Sequence, residues 1–196
     1  MTDAPRIKPL DMDVSIAAGE AVGVSEALAK LNVFRTLLHH PALAKVVSNM
    51  LMTLLGEGNK LSHRAREIII MRCGWVTASN YEWTQHWRVA LLFGMSEDEI
   101  LAIRDWQGAS CFDAADRAVL AAADETFKDG FISRETWAEI EKAYPTVEEQ
   151  LEIPAAIGCW RLISQMARSL ELKLEDGVES WPPDGLRPPN ATEFDV

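Results

Sequence analysis

The sequence predicts an all-α domain of about eight helices that ends in an irregular arm. Three observations predict it. Apolar residues recur at helical spacing nearly throughout, and strand-like alternation is scarce. Side chains suited to helix N-caps punctuate the chain at intervals of one helix. The last twenty-one residues, "DGVESWPPDGLRPPNATEFDV", hold too much Pro and Gly for regular structure. Residues 1–18 are expected to be irregular, 19–175 to form the helical domain and 176–196 to form the arm.

The elements follow in order. "SEALAKLNVFRTLLHH" reads as one or two short helices. "PALAKVVSNMLMTLL" follows, with Pro41 suited to a first helical position. "GEGNK" breaks the chain, and Ser62 is a plausible N-cap for "HRAREIIIMRCGWVTA". The apolar middle of that segment predicts a central helix. The next helix should run from about Asn80 to Phe93 and stop at Gly94, a good residue to follow a helix. Ser96 and Glu99 have capping-box spacing, as do Thr146 and Glu149. Asp113 and Gly130 bracket "AADRAVLAAADETF", and Ser133 opens "RETWAEIEKAY". In the long final helix, Pro154 predicts a kink or an early split. Trp181 and Phe194 suggest that the arm packs against something, such as a neighbouring subunit.

Composition excludes several classes. The chain has 196 residues, 48% hydrophobic and 25% charged, with a net charge of -11. That balance argues against nucleic acid and anionic membranes as partners, since both select basic surfaces. No stretch of eighteen apolar residues occurs, and the polar N-terminus lacks the apolar core of a secretory signal. The cysteines, Cys73, Cys111 and Cys159, are odd in number, far apart and set among apolar neighbours. Buried free thiols in a reducing cytoplasm are the simplest reading.

The chemistry gathers in "TASNYEWTQHWRVA". Ser79, Glu82 and His86 fall at i, i+3 and i+7 and so share a helix face, flanked by Trp83 and Trp87. Glu67 sits in the apolar part of the preceding helix. Burial there would raise its pKa toward neutrality, which suits a proton carrier. A tight connection near Ala78–Asn80 could bring Glu67 toward His86. At Glu82 two influences oppose each other: the first-turn dipole favours the anion, and an indole-lined pocket favours the acid. Each residue also has a plain structural reading. Ser79 or Asn80 could cap the helix, and Tyr81, Trp83 and Trp87 could be core. Arg72 could hold a substrate anion or a structural ion pair. Seven tryptophans are many for this length, and a pocket for a flat substrate would use some of them. Glu82, His86 and Glu67 could ligate a metal, but no second histidine or HExxH pattern accompanies them, so no metal is assigned. His39 and His40 read as a polar turn.

From Leu31 to Leu174 the chain resembles the carboxymuconolactone decarboxylase family of the AhpD-like superfamily. The most specific part is a glutamate followed, twelve residues on, by C-x-x-C-x-x-x-H. Glu67, Ser79, Glu82 and His86 keep that spacing, with Ser79 and Glu82 at the two cysteine positions. The resemblance implies an AhpD-like fold, rings of three or six subunits and sites near subunit boundaries. The alkylhydroperoxidase branch uses the cysteine pair as a dithiol, which Ser79 and Glu82 cannot reproduce. The decarboxylase branch also lacks the cysteines and is understood to use acid–base chemistry. It implies a cofactor-free enzyme acting on a small carboxylate, lactone or enone. Glu67, Glu82 and His86 would be catalytic, and Ser79, Tyr81, Trp83 and Arg72 would contact substrate. A non-catalytic binding or assembly protein on the same fold is the alternative, and a thiol peroxidase is the third reading.

Overall fold

The computed structural model describes residues 4–192. Among them are ten α-helices, one 3₁₀ turn and no strand. The chain divides into two compact units. One comprises residues up to Asn59 with Met166–Val178; the other comprises Lys60–Gln165 and the chain from Glu179 onward.

The first unit holds α1 (Met12–Val22), α2 (Glu26–Ala29), α3 (Asn32–Leu37) and α4 (Pro41–Leu55). Helix α1 corrects the sequence reading, which expects irregular backbone before residue 19. Its buried positions are Ser15 and Gly19, so no large apolar stripe announces it. Ser15 instead donates its hydroxyl to the Ala29 carbonyl at 2.7 Å. Asn32 ties in the returning chain: its side-chain amide donates to the Lys173 and Leu174 carbonyls at 3.1 and 3.2 Å. Pro41 opens α4 as expected, with His40 as N-cap accepting from the Leu43 N–H. His39 lies 3.0 Å from the Lys8 carbonyl, 31 residues before it in the chain.

The second unit is built on α5 (His63–Val76), which packs against α6 (Asn80–Leu92) and α8 (Ala114–Asp129). Around them lie α7 (Glu97–Ala102), the 3₁₀ turn Ile103–Gly108, α9 (Arg134–Ala143) and α10 (Val147–Ser169). Every residue of α5 from Ala65 to Trp75 is buried, which matches its uninterrupted apolar middle. The expected caps are present. Ser62, Asp113 and Ser133 accept from backbone N–H groups three residues on, and Ser96 with Glu99 forms a reciprocal box. Thr146 and Glu149 form the second such box.

Three expectations are refined by the structure. Of the kink or early split expected at Pro154, the split is absent: α10 is one helix from Val147 to Ser169. The proline stands only seven residues into a 23-residue helix, so the lost hydrogen bond is local and the remaining turns carry the segment across it. Cys111 is exposed, while Cys73 and Cys159 are buried. Trp181 is 1% exposed and packs within its own chain, on Trp75 and Trp83. Phe194 lies outside the described residues. No helix among those residues is long and apolar enough to cross a membrane.

Candidate active site

Helices α5 and α6 form a hairpin joined by three residues, Thr77, Ala78 and Ser79. Ala78 turns the chain at φ 54°, and the Ser79 N–H donates to the Gly74 carbonyl at 2.8 Å. Gly74 sets the spacing of the pair. A methyl group there would lie 3.0 Å from the Trp83 nitrogen and 3.4 Å from the Glu82 Cβ. Only glycine lets the helices approach this closely, and the approach brings Glu67 on α5 level with His86 on α6.

Glu67 is completely buried, and its Oε2 lies 2.8 Å from His86 Nδ1. With Glu67 ionised, Nδ1 is the protonated nitrogen and donates to it, so Nε2 carries the lone pair. The Trp160 indole N–H donates to that Nε2 at 3.3 Å from α10. Its ring stands edge-on to the imidazole, at 83° and 5.7 Å between centroids. Glu82, also buried, places Oε2 3.9 Å from Nε2 and receives the same indole N–H. The other Glu67 oxygen, Oε1, accepts from Arg66 Nε at 3.2 Å.

The electrostatics of this group are set mainly by burial. Burial pushes Glu82 up to about 7; the Glu67 charge adds to the rise, while His86 and the Trp160 N–H oppose it. The conflict foreseen at Glu82 is thus resolved toward the acid, despite its place in the first turn of α6. For His86, burial acts to lower the pKa. The Glu67 charge and hydrogen bond, helped by Glu82, outweigh it and hold the imidazole above its ordinary value. A carboxyl titrating near neutrality beside an imidazole can exchange a proton with it at little cost.

The other expected residues fall into three situations. Ser79 is the N-cap residue of α6, but its side chain caps nothing, and its buried Oγ has no hydrogen-bond partner among the described residues. It stands seven residues before His86, about 10 Å along the helix axis, so the two do not meet. Tyr81 and Trp83 are buried. Trp83 belongs to an aromatic cluster with Trp75, Trp87 and Trp181, and its N–H donates to the Pro182 carbonyl at 2.9 Å. Arg72 pairs with Asp124 through Nε and Nη2 at 2.5 and 2.8 Å, and Nη1 donates to the Ile103 and Arg104 carbonyls. Of the two roles the sequence allows it, these contacts are those of the structural ion pair.

Two residues escaped the sequence reading. Trp160 lies 74 positions from His86 in a long apolar helix, and no spacing rule connects them. Arg66 precedes Glu67 directly. Adjacent helical residues point about 100° apart, so only the folded side chain reveals the contact.

The model of the carboxymuconolactone decarboxylase family matches residues 41–125. Over that stretch, less than half of the chain, the sequence is similar to that family. The match spans α4 to α8 and includes Glu67, Glu82 and His86. Solved structures of AhpD-like helical folds agree. A peroxidase-related protein from Silicibacter sp. TM1040 superposes with a TM-score of 0.70 at 16% identity, covering 90% of this chain and 92% of its own. The debrominase Bmp8 gives 0.69 at 17%, covering 87% and 92%. A protein of unknown function from Agrobacterium tumefaciens, likened to the antioxidant defence protein AhpD, gives 0.65 at 19%, covering 71% and 94%. At these identities the likeness is one of fold. No curated protein matches the sequence.

Proposed function

We propose that this chain is an acid–base enzyme that moves a proton next to a carbonyl, in a small carboxylate, lactone or enone. Decarboxylation is the leading reaction, with double-bond isomerisation and lactone opening as close relatives. The observation that supports it best is the 2.8 Å Glu67–His86 hydrogen bond, set in a buried cluster where Glu82 is held near neutrality. Glu67 fixes the imidazole tautomer and stabilises the imidazolium when it forms. Glu82, or His86 in its protonated form, supplies the proton. In a decarboxylation the C–C bond to the carboxylate breaks and its electron pair delocalises into the carbonyl. The protonated member of the pair then delivers its proton to the dienolate carbon, and solvent restores it. No cofactor is needed for that sequence, because the substrate carbonyl is the electron sink.

One observation favours the non-catalytic alternative. Both imidazole nitrogens already have partners, Glu67 and Trp160, as they would in a purely structural histidine. The thiol reading has less support. Burial drives Cys73 far above the thiol range and Cys159 up to about 12, and thiols held protonated make poor nucleophiles.

Turnover separates these readings. 4-Carboxymuconolactone, related lactones and β-keto acids are offered to the wild type, to His86→Ala and to a variant with all three cysteines replaced. Release of CO2 and ultraviolet absorbance are followed. The proposal expects turnover that survives loss of the cysteines and disappears in a folded His86→Ala protein. Turnover that persists in His86→Ala sinks it.

A further inference from the structure

A second cation is buried beside the histidine pair, and its bonds are unevenly shared. Arg66 is 2% exposed. Its Nε donates to Glu67 Oε1 at 3.2 Å, and Nη2 lies 3.0 Å from His63 Nδ1. Nη1 is sealed from solvent and has no hydrogen-bond partner among the described residues. The guanidinium lies over the Phe93 ring, 5.4 Å from its centroid, and His63 stacks on the same ring at 4.0 Å and 12°.

A buried charged donor left unpaired is rare and costly. Here it is also aimed, because the guanidinium fork is planar and two of its three nitrogens are fixed. The charge balance points the same way. Among the described residues Glu67 is the one carboxylate that Arg66 touches, and it divides its oxygens between Arg66 and His86. When His86 is protonated and Glu82 is in its acid form, two cations share one anion.

We propose that Arg66 is the specificity residue of this site and selects an anionic substrate, with Nη1 taking a carboxylate or enolate oxygen beside the Glu67–His86 pair. Phe93, 41% exposed at the C-terminal end of α6, is the wall that an entering group displaces. The proposal rests on the acid–base reading for the reaction. For binding it stands on Arg66 alone, so the two can fail separately.

Benzoate and benzamide have the same shape and differ in charge, and calorimetry on the full chain measures both. The expected result is benzoate binding at least about tenfold tighter than benzamide. Arg66→Gln should abolish that preference. Arg66→Lys, which keeps the charge but loses the planar fork, should retain part of it. His86→Ala should lose turnover and keep the preference, which separates anion selection from proton chemistry. Equal binding of the two probes, or benzoate weaker than about 10 mM, overturns the proposal. So does an undiminished preference in folded Arg66→Gln. If that variant does not fold, a structure of the wild type with benzoate decides: its carboxylate lies within hydrogen-bonding distance of Nη1, or the proposal is wrong.

Discussion

Two arginines mark the two ends of the α5–α6 hairpin, Arg66 buried and Arg104 partly buried, and their surroundings are finished differently. At the arm end, Arg104 lies between the Trp75 and Trp83 rings, 4.8 and 4.9 Å from their centroids. Both its Nη groups reach Asp184, at 2.8 and 2.9 Å. Its Nε lacks a hydrogen-bond partner, yet a bidentate carboxylate and two ring faces answer its charge. Trp181 closes this end, its backbone N–H shared between Asn80 and Thr84. At the other end, Arg66, Glu67, Glu82 and His86 crowd two cationic and two acidic groups into the interior, with one donor unused and one carboxyl pushed toward neutrality. The first arrangement reduces free energy by pairing and packing. The second holds groups in states that packing alone would not select, and such departures concentrate where chemistry is done.

If this division is right, substitutions at the two ends should fail in different currencies. The largest effect is expected at His86. Removing a positioned proton carrier costs about 10²- to 10⁴-fold in rate. His86→Ala should therefore lower kcat/KM by about a thousandfold while the far end keeps the chain folded. Steady-state kinetics beside a thermal melt check both halves. A collapse of the melt, with activity lost only in proportion, would assign His86 to structure.

The converse experiment is Trp181→Ala. A fully buried indole truncated in a core costs about 3–5 kcal/mol, so denaturant unfolding should show a loss of about 3 kcal/mol. The protein that remains folded should keep its rate constant. Trp181 is held by Asn80 and Thr84 on α6, neither of which contacts the His86 ring, and sites without shared partners usually behave additively. A double variant with His86→Ala that departs strongly from additivity would show that the arm reaches the site.

Gly74→Ala tests what joins the two ends. Its new methyl would press on the Trp83 backbone nitrogen at 3.0 Å, where no flexible side chain can yield. Overpacking of this kind costs about 1–3 kcal/mol. The helices should separate by a few tenths of an ångström, and both stability and kcat should fall together. A fall in stability alone would mean that the Glu67–His86 contact tolerates the shift.

How much of this was legible beforehand depended on the kind of signal. Capping pairs such as Ser96–Glu99 and Thr146–Glu149 are written locally, and the helices they begin are where the sequence places them. Glu67, Glu82 and His86 were legible because hairpin spacing relates them. Helix α1 was hidden because Ser15 and Gly19, its buried residues, pack by closeness and hydrogen bonding and leave no apolar stripe. Arg72 was open between a substrate anion and a structural ion pair, and Trp181 indicated only that the arm packs against something. Their actual partners, Asp124 and the pair Trp75–Trp83, lie far away in sequence. Trp160 and the orphan nitrogen of Arg66 were invisible for the same reason: a contact across dozens of residues leaves no periodic trace.

The smallest predicted effect sharpens the comparison most, because pH should act on the two ends in opposite senses. Asp184 is held down at about 2 by its hydrogen bonds to Arg104, below the ordinary 3.8. Its contribution to stability is complete above 3.8 and disappears as pH falls toward 2. Glu82 is raised from 4.5 to about 7 by burial. The folded state therefore prefers the acid, and the corresponding stability is present below 4.5 and lost as pH rises to about 7. His86, raised by Glu67, contributes fully below 6.5 and loses that contribution as pH climbs through its folded value. Alkaline titration should thus loosen the catalytic end while leaving the arm clamp intact. Glu82→Gln removes one titration and keeps the shape. Its stability should fall less between pH 5 and 7 than that of the wild type, by about 1–3 kcal/mol. The inflection near pH 7 in kcat/KM should also disappear. If the variant keeps that inflection, His86 alone is responsible for it, and the proton is not shared between the two groups.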